Sequence, residues 1–96
     1  MIRHVVFFSA KNKRDLEDIR NGLMVLEGIP QARVFEVAEN SKSDPLSSDA
    51  DLVVYAEFDD EAALAAYRAH PLYAEAIRLV RPLRDLRISA DFLSEA

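Results

Sequence analysis

The sequence contains no cysteine. Disulfide staples, thiolate nucleophiles and cysteine-ligated metals are therefore excluded, and the chain suits a reducing compartment, so a cytoplasmic location is expected. Glycine occurs only at Gly22 and Gly28, and neither lies in a loop that could cradle phosphate. A serine nucleophile elbow is missing as well. Basic clusters are scarce: the formal net charge is −5, and the densest basic run, Lys11 to Arg14, leads straight into Asp15, Glu17 and Asp18. That run reads as a solvated helix start, and no nucleic-acid partner is expected. No apolar stretch approaches the roughly 20 residues that cross a bilayer. The run Val5 to Phe8 is too short for the core of a secretion signal, and charged residues follow it. No membrane partner is expected.

What is present is a hydrophobic surplus. Half of the 96 residues are hydrophobic, in a chain whose length implies one domain, 1–96. A chain this short buries only a modest fraction of its surface, and self-association is the simplest outlet for the excess. Residues 2–9 are rich in β-branched and aromatic side chains and read as a strand. Its two faces, Ile2, His4, Val6, Phe8 and Arg3, Val5, Phe7, Ser9, are both largely apolar. Residues 13–27 place Leu16, Ile19, Leu23 and Leu26 at helical spacing. Gly28 stands where a left-handed helix cap is expected, and Pro30 prevents resumption. A second strand is expected over 32–39 and a third over 51–58. Between them lies the polar loop 40–50, of a length that is often functional or mobile. Asp59 and Asp60 suit a helix N-terminus; that helix runs to about Ala69, where Pro71 interrupts it. A further helical segment is expected over 72–81, closed by Pro82. The last strand, 84–93, sets Leu86, Ile88, Ala90 and Phe92 on one face.

The order strand, helix, strand, strand, helix, strand predicts an α+β, ferredoxin-like βαββαβ fold with a four-stranded antiparallel sheet. Helices on one face would leave the other open. Because that other face is also substantially apolar, a homodimer packed through the sheet faces is expected.

Several stretches, taken together, are familiar. IRHVVFF, the GIP turn, VFEVAEN followed by DPLSS, DLVVYAEFDDEAALAAYRAHPLY and RPLRDLRISADF make the chain resemble the stress-responsive α/β-barrel (Dabb) domain family over essentially its whole length. The resemblance implies a ferredoxin-like protomer that pairs through its sheet into a dimeric α/β barrel, with most members unassigned in activity. It also implies that neither a metal nor an organic cofactor is needed, since plant members that cyclise polyketides work without either. Those cyclases use a histidine on the first strand, a tyrosine on the second helix and a histidine after a His-Pro pair. Carried over, these positions are His4, Tyr67 and, after His70-Pro71, Tyr73. The sequence departs from the cyclases at Tyr73: an ordinary phenol, with a pKa of about 10, is a poor base at neutral pH, whereas a histidine near 6.5 is matched to the task.

His4 and Tyr67 are therefore the catalytic candidates, and Val6, His70, Tyr73 and Ile77 the ligand-binding ones. Each has a plainer reading beside it. His4 shares a face with Ile2, Val6 and Phe8, so it is either a core histidine bonded to backbone or tyrosine, or a donor or base in a pocket wall. Tyr67 is either core with its hydroxyl at a rim or a proton donor; a buried phenol needs a partner, and His4 is the candidate. His70 falls in the last turn of its helix, where a cation would meet the dipole and the free carbonyls. Tyr73 and Tyr55 read first as packing. No metal site is expected from two distant histidines. The functional expectation is a pocket between sheet and helices for a small apolar or aromatic ligand. Cofactor-free proton transfer, a monooxygenase-like activity argued from fold alone, and a non-catalytic oligomer remain open.

Overall fold

The computed structural model describes residues 1–95. β1 (Ile2–Ala10) and β3 (Leu52–Phe58) form the centre of one antiparallel sheet, flanked by β2 (Val34–Glu39) and β4 (Arg84–Leu93) in the order β2-β3-β1-β4. This is the ferredoxin-like α+β arrangement that the element order predicts. Alternation decides which face each residue takes. Leu52, Val54, Ala56 and Phe58 are buried and face the helices, while Val53, Tyr55 and Glu57 between them are half-exposed on the other side.

The helical layer covers one face only. α1 (Leu16–Met24) buries Ile19 and Leu23, α2 (Glu61–Ala69) buries Leu64 and Tyr67, and α3 (Pro71–Val80) buries Ala76 and Val80. These meet Ile2, Val6, Phe8, Val54 and Phe58 in a single core. α1 and α3 touch at Gly22, where an added Cβ would lie 2.8 Å from Val80 Cγ2 and 3.2 Å from Leu79 Cβ. Asp60 caps α2 as expected, accepting from the Ala63 amide at 2.8 Å. Among the described residues, no helix is long and apolar enough to cross a membrane.

Three expectations are corrected. The segment 13–27 is not one helix but α1 between two 3-10 turns, Lys13–Asp15 and Val25–Gly28; such tightened turns commonly finish helices. Gly28 does not adopt a left-handed conformation, since no glycine has positive φ. The turn ends instead on extended Ile29, whose N–H bonds to Leu26 O. His70 does not act as a cation at the end of α2. Pro71 restricts the residue before it to extended backbone, and His70 (φ −68°, ψ 141°) becomes the N-cap of α3, its Nδ1 accepting from the Leu72 amide at 3.1 Å. An accepting Nδ1 is unprotonated, the reverse of the expected role.

The 40–50 loop is tied down by Asp51, whose carboxylate is buried. Lys13 and Lys42 each reach it at 2.6 Å, and the Ala10 amide donates to it at 2.9 Å. Lys13 is thus a structural ion-pair partner and not merely part of a solvated helix start. Burial works to raise the Asp51 pKa, but the hydrogen bonds from Lys13, Lys42 and Ala10 outweigh it and hold the group down at about 2, against an ordinary 3.8. A carboxylate depressed on folding stabilises the fold above its ordinary pKa and loses that contribution as pH falls through the depressed one. The Asp51→Asn variant is therefore expected to lose on the order of 2 kcal/mol at pH 7 in urea unfolding, with the gap to the parent protein narrowing by about half at pH 3. A pH-independent gap would contradict this account of the loop.

Candidate functional site

A cavity of about 290 Å³ opens between the sheet and the helices. Its floor is the inward face of β1, His4, Val6 and Phe8, with Val54 of β3 beside them. Leu23 and Leu26 close one side, Tyr67 of α2 another, and Tyr73, Ile77 and Val80 of α3 the roof. Arg81, Arg84 and Arg87 stand around it where α3 gives way to β4.

The register of β1 against β4 sets Asp91 directly opposite His4, so both side chains rise from the sheet on the same face. His4, only 2 % exposed, bonds through Nδ1 to one Asp91 carboxylate oxygen. Arg68 of α2 donates to the other oxygen at 2.6 Å. Burial tends to raise the Asp91 pKa, but the His4 and Arg68 hydrogen bonds prevail and keep it below its ordinary value. An ionised Asp91 can only accept, so Nδ1 carries the proton of this contact, and in the neutral imidazole the lone pair is then on Nε2. The ring edge packs against Tyr67, with centroids 6.0 Å apart, and against Phe58, at 6.2 Å.

Tyr67 is fully buried, and its hydroxyl has no hydrogen-bond partner among the described residues. The expected bond to His4 is not formed: the two rings meet edge to face, and His4 bonds through Nδ1 to Asp91 instead. Burial pushes the Tyr67 phenol well above its ordinary pKa, nearby Tyr73 adds to this, and Arg87 and Arg68 only partly oppose it. The group is therefore a neutral donor, not a base. Tyr73 packs edge-on to Tyr67 at 5.4 Å, and its own hydroxyl receives Arg87 at 3.4 Å.

Five sequence candidates thus meet in one place: His4, Val6, Tyr67, Tyr73 and Ile77 all line the cavity. His70 does not, being occupied as the N-cap of α3. Tyr55 lies on the other face of the sheet, its hydroxyl donating to Glu57 at 2.5 Å. Asp91, Arg68 and the three arginines escaped the sequence reading. One usable signal was the phase of β4: if Leu86, Ile88, Ala90 and Phe92 take the outer face, then Arg87, Ser89 and Asp91 take the face of His4. Among the described residues, no group of three or more His, Asp or Glu side chains is placed to hold a metal ion.

The model of one protein family, the Stress responsive A/B Barrel Domain, matches residues 2–94. No curated protein matches the chain. Among solved structures, a dimeric ferredoxin-like protein of unknown function from Jannaschia sp. CCS1 is similar, with TM-score 0.83, 23 % identity and coverage of 97 % of this chain and 98 % of that one. A Dabb family protein with a ferredoxin-like fold from Mesorhizobium loti gives 0.80 and 22 %, covering 99 % and 97 %. A protein from Arabidopsis thaliana gives 0.81 and 19 %, covering 100 % and 97 %.

Proposed function

This chain belongs to the stress responsive A/B barrel domain family, and on that premise we propose that it is a single domain binding a small carbonyl or phenolic compound in the cavity between sheet and helices. The observation that carries this reading is the Tyr67 hydroxyl, buried, unpartnered and lining the cavity. A buried polar atom without a partner costs about 1–3 kcal/mol, a cost that a ligand oxygen accepting from it would remove. A purely structural polar cluster should satisfy itself. The Asp91 carboxylate, held by His4 and Arg68, does so; the Tyr67 hydroxyl does not.

The same pair of groups suits proton transfer. A carbonyl oxygen held by the Tyr67 hydroxyl would lie within reach of His4, whose Nε2 lone pair could take a proton from the adjacent carbon. The electrons of the broken C–H bond pass to the carbonyl oxygen, and Tyr67 stabilises the resulting enolate by hydrogen bonding. Tyr73 takes no proton in this scheme; it shapes the wall against Tyr67.

The protomer pairs with a second copy through the outer face of its sheet. Phe7, Ile88 and Phe92 project there, exposed by 38, 56 and 51 %. Phe7 and Ile88 are cross-strand neighbours, as are Arg3 and Phe92. Arg3 Nε is buried on that face without a partner among the described residues. Apolar area of this kind marks an association surface, and the similar Jannaschia protein is described as dimeric. Sedimentation at micromolar concentration is expected to give a dimer, and a Phe7→Glu, Ile88→Glu double variant a monomer; a monomeric parent protein would remove this part of the proposal.

For the ligand site, Tyr67→Phe separates binding from folding. Without ligand the variant should be as stable as the parent protein, or more stable by about 1 kcal/mol, since an unsatisfied group has gone. Thermal shifts produced by aromatic ketones and phenols in the parent protein should shrink or vanish in it. A variant that is clearly less stable while keeping those shifts would overturn the assignment.

A further inference from the structure

The surroundings of the cavity run against the charge of the molecule. The net charge is −5, yet the ionisable residues lining the cavity are His4, Tyr67, Tyr73 and three arginines, with no carboxylate among them. Arg81, Arg84 and Arg87 form no ion pair among the described residues. Arg84 donates only to the main-chain oxygen of Asp85, at 3.2 Å, and Arg87 to the Tyr73 hydroxyl, at 3.4 Å. Asp91, which also faces inward, already holds His4 and Arg68.

The backbone is arranged to bring two of these arginines together. Residues three apart on a regular strand point to opposite faces, so Arg84 and Arg87 would ordinarily diverge. In β4 they do not. Arg87 pairs with Phe8 and Arg84 with Ala10, both buried inward positions of β1, because the register shifts between Phe8 and Ala10. Ser9, opposite the irregularity, steadies it by accepting the Leu86 amide on Oγ at 2.9 Å. Irregularities of this sort re-aim side chains beside functional sites. Arg81, the C-cap of α3, completes the group from the other side of the turn.

We infer that the ligand of this cavity is an organic acid: an apolar, single-ring body lies over Val6 and Val54, and a carboxylate is held at the mouth by Arg81, Arg84 and Arg87. This rests on the reading of the cavity as a ligand site and deepens it. The volume of about 290 Å³ lies at the lower end of ligand pockets, which run from about 300 to 1,000 Å³, and so fits one ring better than several. Guanidinium forks match carboxylate oxygens in pairs. With the acid group at the mouth, a hydroxyl or carbonyl on the ring points inward to Tyr67.

The test compares 2-hydroxybenzoate with its neutral isostere 2-hydroxybenzamide. Binding is followed by NMR of the Val6 and Val54 methyl groups, so that only occupancy of the cavity counts. The acid is expected to bind the parent protein about tenfold more tightly than the amide, a difference of roughly 1.4 kcal/mol. In an Arg84→Gln, Arg87→Gln double variant the acid should lose affinity about tenfold more than the amide does, so that the preference disappears. Equal binding of acid and amide by the parent protein would overturn the acid inference and leave the ligand cavity standing. A preference that survives the double substitution would overturn the role of the arginines. Failure of both compounds to shift the methyl signals would count against the cavity reading and, with it, this inference.

Discussion

The alignment of β1 against β4, which sets His4 opposite Asp91, is the constraint on which the site depends. An imidazole buried between Phe58 and Tyr67 must be hydrogen-bonded, or its burial costs more than its packing returns. Asp91 supplies the bond, and Arg68, reaching from α2, balances the carboxylate's remaining charge. A central strand, an edge strand and a helix are joined in this way. The same contact decides which nitrogen of His4 is free.

The edge strand β4 serves two masters because alternation gives it two faces. Outward go Ile88, Ala90 and Phe92, toward the surface proposed to meet a second copy. Inward go Arg87, Ser89 and Asp91, into the layer that holds the cavity. Only the irregularity opposite Ser9 breaks this rule, and it does so where Arg84 is brought in beside Arg87. A strand used on both faces has little freedom to slip, since a one-residue shift would exchange the apolar and charged sets. Pairing of two copies over the outer face would hold the edge strand, and thereby the site, more rigidly.

Much of the fold was legible in the sequence because its signals are local. The two-residue alternation of Leu52 to Phe58, the three-and-four spacing of Leu16 to Leu26, the Asp60 cap and the Pro71 break are all short-range patterns, and the elements lie within a few residues of where they indicate. The family resemblance rested on the same segments; the positions carried over from it, His4, Tyr67 and Tyr73, line one cavity together with Val6 and Ile77. What escaped is non-local. β1 and β4 are joined by no hairpin whose length could set their register, so nothing in the spacing of residues 4 and 91 announces that they touch. His70 was misread for a related reason. It ends one helix and begins the next, and only the backbone after Pro71 shows that the second role prevails.

The central claim is that Asp91 fixes the tautomer of His4, holding the proton on Nδ1 so that Nε2 of the neutral imidazole is free to accept. Two-bond ¹H–¹⁵N NMR of the His4 ring at pH 8 tests it most directly. The account predicts a protonated, pyrrole-type nitrogen at Nδ1 and an unprotonated, pyridine-type nitrogen at Nε2, with that preference lost in Asp91→Asn. A proton on Nε2 in the parent protein would contradict it.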